Sequence, residues 1–529
     1  LSANINKYIT AGTNITYLNG KSQSPYYENQ NFVLMTMTQA PMVKPYLPDG
    51  SGRYTDKALP TGSGGTQNNR NPLWIANETY RNYQDWQANI QGWADINFLH
   101  SKDMKLKLSN KYASRFTEQF QHIYHYGADA YYYLPEKEYV SGGSNEHIKG
   151  TPFGPEALAV FNNNYRTILN TYYSSLSWEY NRNQQDFLVM VGYSQEEQKY
   201  RWLTGNRNVF PVQNMHELDG MGALNQVVGG GLTEWSFRSV FARATYAYRS
   251  KYLLEGNFRY DGTSRIFKDS RWGFFPSASA AWRVSEENFI KEGAPWIENL
   301  KIRGSYGKLG NANIGDYPWQ ETYTTTSYAF NNSLEQGILQ TAYRNRKLEW
   351  EKTAITNIGL DFNLRNDHLY GTLEWYNKYT TGILAGAIIP ASSGLSAPTV
   401  NYGEFKNHGV ELEVGHRNKI GQIEYDLNAQ ISINRNKVIK FPAPAFGNRI
   451  IEEGRPYNDY YLYEYIGIFK TEEQLKAVET PGNPQLGDLR FKDQNNDGKI
   501  DGNDRIPVKG AYPGYIYAFG ANLKWKSFD

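Results

Sequence analysis

The stretch whose reading decides the fold is Asn357-Ile358-Gly359-Leu360-Asp361-Phe362-Asn363, then Arg365-Asn366-Asp367, then Leu369-Tyr370-Gly371-Thr372-Leu373-Glu374-Trp375-Tyr376. Ile358, Leu360 and Phe362 fall on one face of an extended run, and Asn357, Gly359, Asp361 and Asn363 fall on the other. After the polar triplet the pattern resumes, with Leu369, Gly371, Leu373 and Trp375 opposite Tyr370, Thr372, Glu374, Tyr376 and Lys378. A period of two specifies strands, because successive side chains point to opposite faces of a sheet. The short polar turn joins the two as an antiparallel hairpin. The same unit returns along the whole chain, so the expected structure is one large antiparallel sheet.

Composition narrows what such a sheet is for. Hydrophobic residues are 40% of 529 and the mean hydropathy is −0.67. No run of 18 apolar residues exists and no signal peptide opens the chain, which argues against helical spans. Strands of a transmembrane barrel need only one apolar face, so a membrane remains open to this sequence. Tyrosine (43) and tryptophan (13) suit interfacial girdles and the walls of a wet channel. The net charge of +2 comes from 55 basic and 53 acidic residues, with no polybasic face of the kind nucleic acid demands. Zero cysteines exclude disulfides, zinc-thiolate sites and cysteine nucleophiles.

Working outward from the hairpin, alternation predicts strands at residues 1–7, 9–22, 85–99, 104–117, 164–180, 186–202, 235–248, 252–261, 272–284 and 300–309. Beyond it come 405–415, 424–437 and Tyr515–Trp525, which makes about fifteen in all. Tight polar links such as His100-Ser101-Lys102-Asp103 alternate with excursions near 24–84, 119–163, 204–232, 310–346 and 438–512. A short helix is expected over 29–39, a glycine-rich loop end at Gly229-Gly230-Gly231, and an inner strand over 460–469. Short turns at one end and long loops at the other are the asymmetry of an outer-membrane barrel; a soluble sandwich does not sort its connections so. Glu255, Arg259, Asp361, Glu374, Lys378 and Asp426 stand opposite apolar neighbours, as for a polar lumen behind a lipid-facing wall. The fold class is therefore all-β, a transmembrane antiparallel barrel. An odd set of fifteen does not close on its own, so strands and any internal domain are expected beyond this chain.

Few motifs carry chemistry. Asn19-Gly20-Lys21-Ser22 has the end of a phosphate loop, but Ile15 stands where a glycine is needed, so a strand end is the better reading. The eight histidines lack metalloprotease spacing, and His122 with His125 reads as loop surface. Tyr131, Tyr132 and Tyr133 either pack a loop or stack sugar rings, and they are candidate substrate contacts. The sharpest motif runs from Asp493 to Asp504. Asp493, Asn495, Asp497, Asp501 and Asp504 occupy positions 1, 3, 5, 9 and 12 of a calcium loop, with Gly498 at 6 and the Lys499 carbonyl at 7. Asp at position 12 is shorter than the usual Glu, and no helix pattern flanks the loop. The expectation is a structural Ca2+ on an external loop, able to brace a partner.

Several stretches together resemble the TonB-dependent outer-membrane transporters of the SusC/RagA type. They are Arg259–Arg265 (RYDGTSR), Arg271–Ser277 (RWGFFPS) running to Glu286, Asn299–Gly307 (NLKIRGSYG) and Leu348–Thr353 (LEWEKT) leading to Asp361. Asn407–Glu411 (NHGVE) and Gly487–Asp493 (GDLRFKD) with the acidic loop to Arg505 complete the set. The resemblance is dense from about 235 to 529 and weak before it. It implies a 22-stranded barrel with an N-terminal plug. It also implies energy from an inner-membrane TonB complex, reached through segments not in this chain, and a SusD-like lipoprotein lid. The activity implied is active import of oligosaccharides across the outer membrane, or of oligopeptides by the same mechanism, with no organic cofactor. A passive porin or a surface adhesin is the rival of another class. An embedded hydrolase needs a nucleophile, base and orienter, and no such set can be assembled from these residues.

Overall fold

The computed structural model describes the chain except most of 27–70 and 126–158, and residues 209–215, 221–225, 442–444, 527 and 529. Fifteen strands form one antiparallel sheet whose order follows the chain. They are β1 (Ser2–Asn4), β2 (Ile9–Ser24), β3 (Thr79–His100), β4 (Met104–His125), β5 (Ala159–Arg182), β6 (Gln185–Asn208), β7 (Val227–Tyr248) and β8 (Tyr252–Thr263). After these come β9 (Trp272–Arg283), β10 (Ile297–Asn311), β11 (Glu351–Leu364), β12 (Leu369–Gly386), β13 (Thr399–Ile420), β14 (Ile423–Lys440) and β15 (Tyr515–Trp525). The order runs from β1 to β15 and, among the described residues, no strand joins its two ends. This is the incomplete barrel wall expected from the alternation.

The chain divides into two compact units. One comprises Leu1–Ala94, Asn110–Tyr172 and Glu196–Trp235; the other comprises Asp95–Ser109, Tyr173–Gln195 and Ser236–Asp529. In the second unit the register puts Ile358 beside Trp375, Leu360 beside Leu373 and Leu412 beside Ile431, all on one face. Most side chains of this face stand bare, among them Ile358 (53% exposed), Leu427 (45%) and Phe519 (80%). Rows of aromatic rings bracket this apolar band. Tyr252 stands between Tyr248 and Trp282 at the short-turn end, and Tyr260 stacks on Trp272 at 5.0 Å toward the other. Glu287, in the connection after β9, accepts hydrogen bonds from the Tyr252 hydroxyl (2.6 Å) and the Trp282 indole N–H (3.1 Å). Those bonds, with Lys251, hold its carboxyl below the usual carboxylate range.

Turn geometry explains the tight ends. Asn183 and Gln184 between β5 and β6, and Arg249 and Ser250 between β7 and β8, all have positive φ. Two such residues in succession give the hairpin twist that matches right-handed strands. Arg365, Asn366 and Asp367 do the same between β11 and β12, with φ of 57–61°.

Several expectations need correction. The strands at both ends of the excursions are longer than alternation indicated, since β4 runs to His125, β5 begins at Ala159 and β6 continues to Asn208. Spanning hydrocarbon takes only ~9–11 residues of a tilted strand, and beyond it both faces are wet and the alternation fades. Gly229-Gly230-Gly231 is strand rather than loop, inside β7. A Cβ at Gly231 would lie 2.7 Å from the Trp202 indole nitrogen, so glycine there makes room for the ring. The inner strand at 460–469 is broken at Glu464 into Asp459–Tyr463 and Tyr465–Ile468, which pair in different small sheets. The connection after β10 contains a hairpin, Thr322–Phe330 with Ser333–Ala342, turning on Asn331 and Asn332. The helix expected over 29–39 falls largely outside the described residues; Val33, Thr36 and Met37 are helical.

The two faces make a direct prediction. Leu427→Arg, in the middle of the apolar band, should cost about 2–4 kcal/mol of folding free energy in lipid bilayers, and Asn428→Arg on the opposite face far less. Equal losses at the two positions in a urea titration of bilayer-folded protein would overturn the assignment of faces.

Candidate functional site

The polar face of the second unit is where recognition chemistry collects. Register sets Arg303 on β10 beside Gly359 on β11, which in turn faces Glu374 on β12. The guanidinium reaches across that glycine: Nε donates to Asp361 Oδ2 at 3.2 Å and Nη2 to Glu374 Oε2 at 2.6 Å. A Cβ at Gly359 would sit 2.5 Å from the guanidinium carbon, so the glycine creates the passage. Nη1 also donates to Asn357 Oδ1 at 3.4 Å, the Asn357 amide donates to Glu374, and Thr372 Oγ1 donates to Asp361 Oδ1 at 3.3 Å. All three charged side chains are less than a third exposed. One cation held between two carboxylates is a brace for the wall, and it leaves neither carboxylate available as an acid–base partner for the other. Arg243 and Glu255, paired at 2.9 Å, repeat the balance on β7 and β8.

Alternation had marked Asp361 and Glu374 as polar-face residues. It could not name Arg303 as their partner, because that depends on the register between strands 58 and 71 residues apart in sequence.

The acidic motif lies in the connection between β14 and β15. Asp493 Oδ2 accepts from the Gly498 N–H at 2.8 Å, Asn495 Oδ1 from Asp497 N–H at 3.1 Å and Asp497 Oδ1 from Lys499 N–H at 3.1 Å. Gly498 has φ of +83° at the tight turn, a conformation glycine enters freely. Asp501 and Asp504 form a reciprocal cap, and Asp504 is fully buried with its oxygens on the Gln494 and Asp501 N–H groups. The Asn503 N–H donates to Asp501 Oδ1 at 2.8 Å and holds that carboxyl below the ordinary range, helped by the Lys499 ammonium 3.4 Å away. Among the described residues, no three or more His, Cys, Asp or Glu side chains converge as a metal cluster.

The other candidates disperse. Tyr131 and Tyr132 form a two-residue strand paired with Ile148–Lys149, while Tyr133 lies outside the described residues. His122 is not free loop surface: its Nε2 is 3.2 Å from the Tyr80 hydroxyl and its Nδ1 2.6 Å from Asn162 Oδ1. Asn19–Ser22 is strand, inside β2. No helix among the described residues is long and apolar enough to cross a membrane, which says nothing of strands.

Comparison with known proteins agrees with this architecture. The family model described as TonB dependent receptor-like, beta-barrel, matches residues 23–526. TonB-dependent receptor P3 of Formosa agariphila is 28% identical over 399 residues, covering 72% of this chain and 39% of that protein. TonB-dependent receptor SusC of Bacteroides thetaiotaomicron is 26% identical over 453 residues, covering 75% of this chain and 41% of SusC. The chain thus spans about two-fifths of the length of the curated relatives it matches. The structure of the RagAB peptide transporter superposes with a TM-score of 0.75 at 19% identity, over 99% of this chain and 55% of that one.

The charge cluster can be tested apart from any transport assay. Arg303→Met should lower stability by about 1–3 kcal/mol, since it strips charged hydrogen bonds and leaves two carboxylates uncompensated. Adding Asp361→Asn and Glu374→Gln should recover part of that loss. Denaturant midpoints that do not move in the single variant would show that the three groups are hydrated and independent.

Proposed function

The chain belongs to the TonB-dependent receptor β-barrel family of the bacterial outer membrane, and on that premise we propose that it is the barrel portion of an active importer of oligosaccharides. The observation that carries the proposal is the division of one sheet into a bare apolar face and a polar face laced with ion pairs, with tight turns at one end, apart from residues 284–296 between β9 and β10, and the longest connections at the other. SusC among the relatives supports the branch of the family assigned from the sequence. In this reading the apolar face meets lipid and the polar face lines the path. Substrate is captured under a SusD-like surface lipoprotein, held by the polar face and a plug, and released when the TonB complex moves that plug. The protein makes and breaks no covalent bond. Import of oligopeptides by the same steps is the second reading, favoured by the likeness in fold to a peptide transporter.

Calcium on the acidic loop is proposed as well, held by Asp493, Asn495, Asp497, the Lys499 carbonyl and Asp504, with Asp501 direct or through water. The order of oxygen donors along the turn and the left-handed Gly498 support it. Hard cations of this size take oxygen ligands at about 2.3–2.6 Å, and magnesium requires about 2.0–2.1 Å.

Two measurements decide these readings. Deleting the TonB complex should abolish growth on the cognate polymer and uptake of its labelled oligosaccharides; undiminished uptake would favour a passive porin. Calcium added to the full-length protein should raise its melting temperature and displace bound terbium, and Asp493→Ala with Asp497→Ala should remove both effects. Identical melting curves with calcium and with chelator would end the metal proposal.

A further inference from the structure

We infer that a hollow on the polar face, at the long-loop end of β13 and β14, is a subsite for a neutral oligosaccharide; the inference rests on the import reading above. Its floor is built by register. Asn407 on β13 stands directly opposite Asn436 on β14, and Asn434 lies one row nearer the charged cluster, opposite Gly409. Phe405 continues the same face outward, opposite Val438. The connection between β14 and β15 supplies the upper wall, with Tyr457 from its start and Tyr512 from its end. The hollow measures about 450 Å³, within the ~300–1,000 Å³ of small-molecule sites.

The wall is braced before any ligand arrives. The Tyr457 backbone N–H donates to Asn436 Oδ1 at 2.7 Å, which fixes that amide and leaves its NH₂ group as donor. The Tyr457 ring meets Phe405 edge-on at 5.0 Å, and Phe405 stacks on Phe441 at 5.6 Å. Among the described residues, the carboxamides of Asn407 and Asn434 have no protein partner. Tyr512 is 53% exposed and Tyr457 37%, so their rings remain accessible.

The donor set selects a chemistry. Each carboxamide offers one acceptor and two N–H donors without charge, matching sugar hydroxyls that both give and take a proton. Aromatic rings cover the apolar C–H face of a pyranose. Among the described lining residues the only charged one is Lys437, and no carboxylate lines the hollow. An ammonium entering it would lose hydration with nothing to offset the loss. The carboxylates of Glu374 and Glu411 begin one row below Asn434, and Lys378 on β12 stands beside Asn407 at the hollow's edge.

The test uses the full-length protein with its partner lipoprotein. Titration calorimetry and uptake are measured with neutral glucan, xylan, mannan, fructan and galactan oligosaccharides, and with a panel of oligopeptides. Asn407→Ala, Asn434→Ala and Tyr512→Ala are compared with wild type. The exposed position of Tyr512 keeps that variant informative if the strand variants fold poorly. Each variant should weaken binding of the preferred oligosaccharide about tenfold, the loss of roughly one hydrogen bond or one stacking contact, and leave the melting temperature of a folded variant unchanged. If wild type imports a neutral oligosaccharide and the folded variants bind it within about twofold of wild type, the subsite is overturned and the import reading stands. If no oligosaccharide is bound and peptides are, both fall together.

Discussion

The constraint on which the rest depends is the obligation of every wall strand to satisfy its backbone hydrogen bonds on a neighbour. Hydrocarbon offers no donor or acceptor, so a spanning strand either pairs on both edges or does not span. β11 pairs along its length with β10 on one side and β12 on the other, and β14 pairs along its length with β13 and over Ile423–Ile433 with β15. Once pairing is compulsory on both edges, side chains can project only to the two faces. One face then answers to lipid and the other to water, and this single sheet carries both solvents.

The polar face shows how such a wall holds its charges in place while remaining wet. Arg303 holds Asp361 and Glu374 together, and Arg243 holds Glu255, so carboxylates on neighbouring strands are drawn onto shared cations. Matched pairs hold their geometry and project little field, which leaves recognition to groups without partners. Those groups gather where β13 and β14 meet the long connection, and there amide and aromatic side chains predominate, with Lys437, Pro513 and Ile516 beside them. The division follows from position: ion pairs stiffen the middle of the wall, and uncharged polar groups stand at its long-loop end.

Much of this was legible in the sequence. All fifteen wall strands, the tight turns and the segregation of Ile358 from Asp361 follow from a period of two interrupted by polar triplets. Alternation is a local property, written residue by residue, so it survives without knowledge of partners. It fades where both faces are wet, which is why the ends of β4, β5 and β6 lay beyond its reach. The hairpin on Asn331 and Asn332 had a turn signal of its own, since asparagine tolerates positive φ, but it lay inside a stretch read as loop.

The sequence by itself determined the class of fold, the membrane setting and which residues share a face. Only the tertiary structure decided which of those residues meet. That Arg303 finds Asp361 and Glu374, that Gly359 opens the way between them, and that Asn407 faces Asn436 under Tyr457 are facts of register. A shift of one residue would move every one of these groups to the other face, and a shift of two would keep the face and change all the partners. Register is set by turn geometry and by neighbouring strands together. The pattern of one strand therefore specifies its two surfaces, and the site exists only once several strands lock against one another.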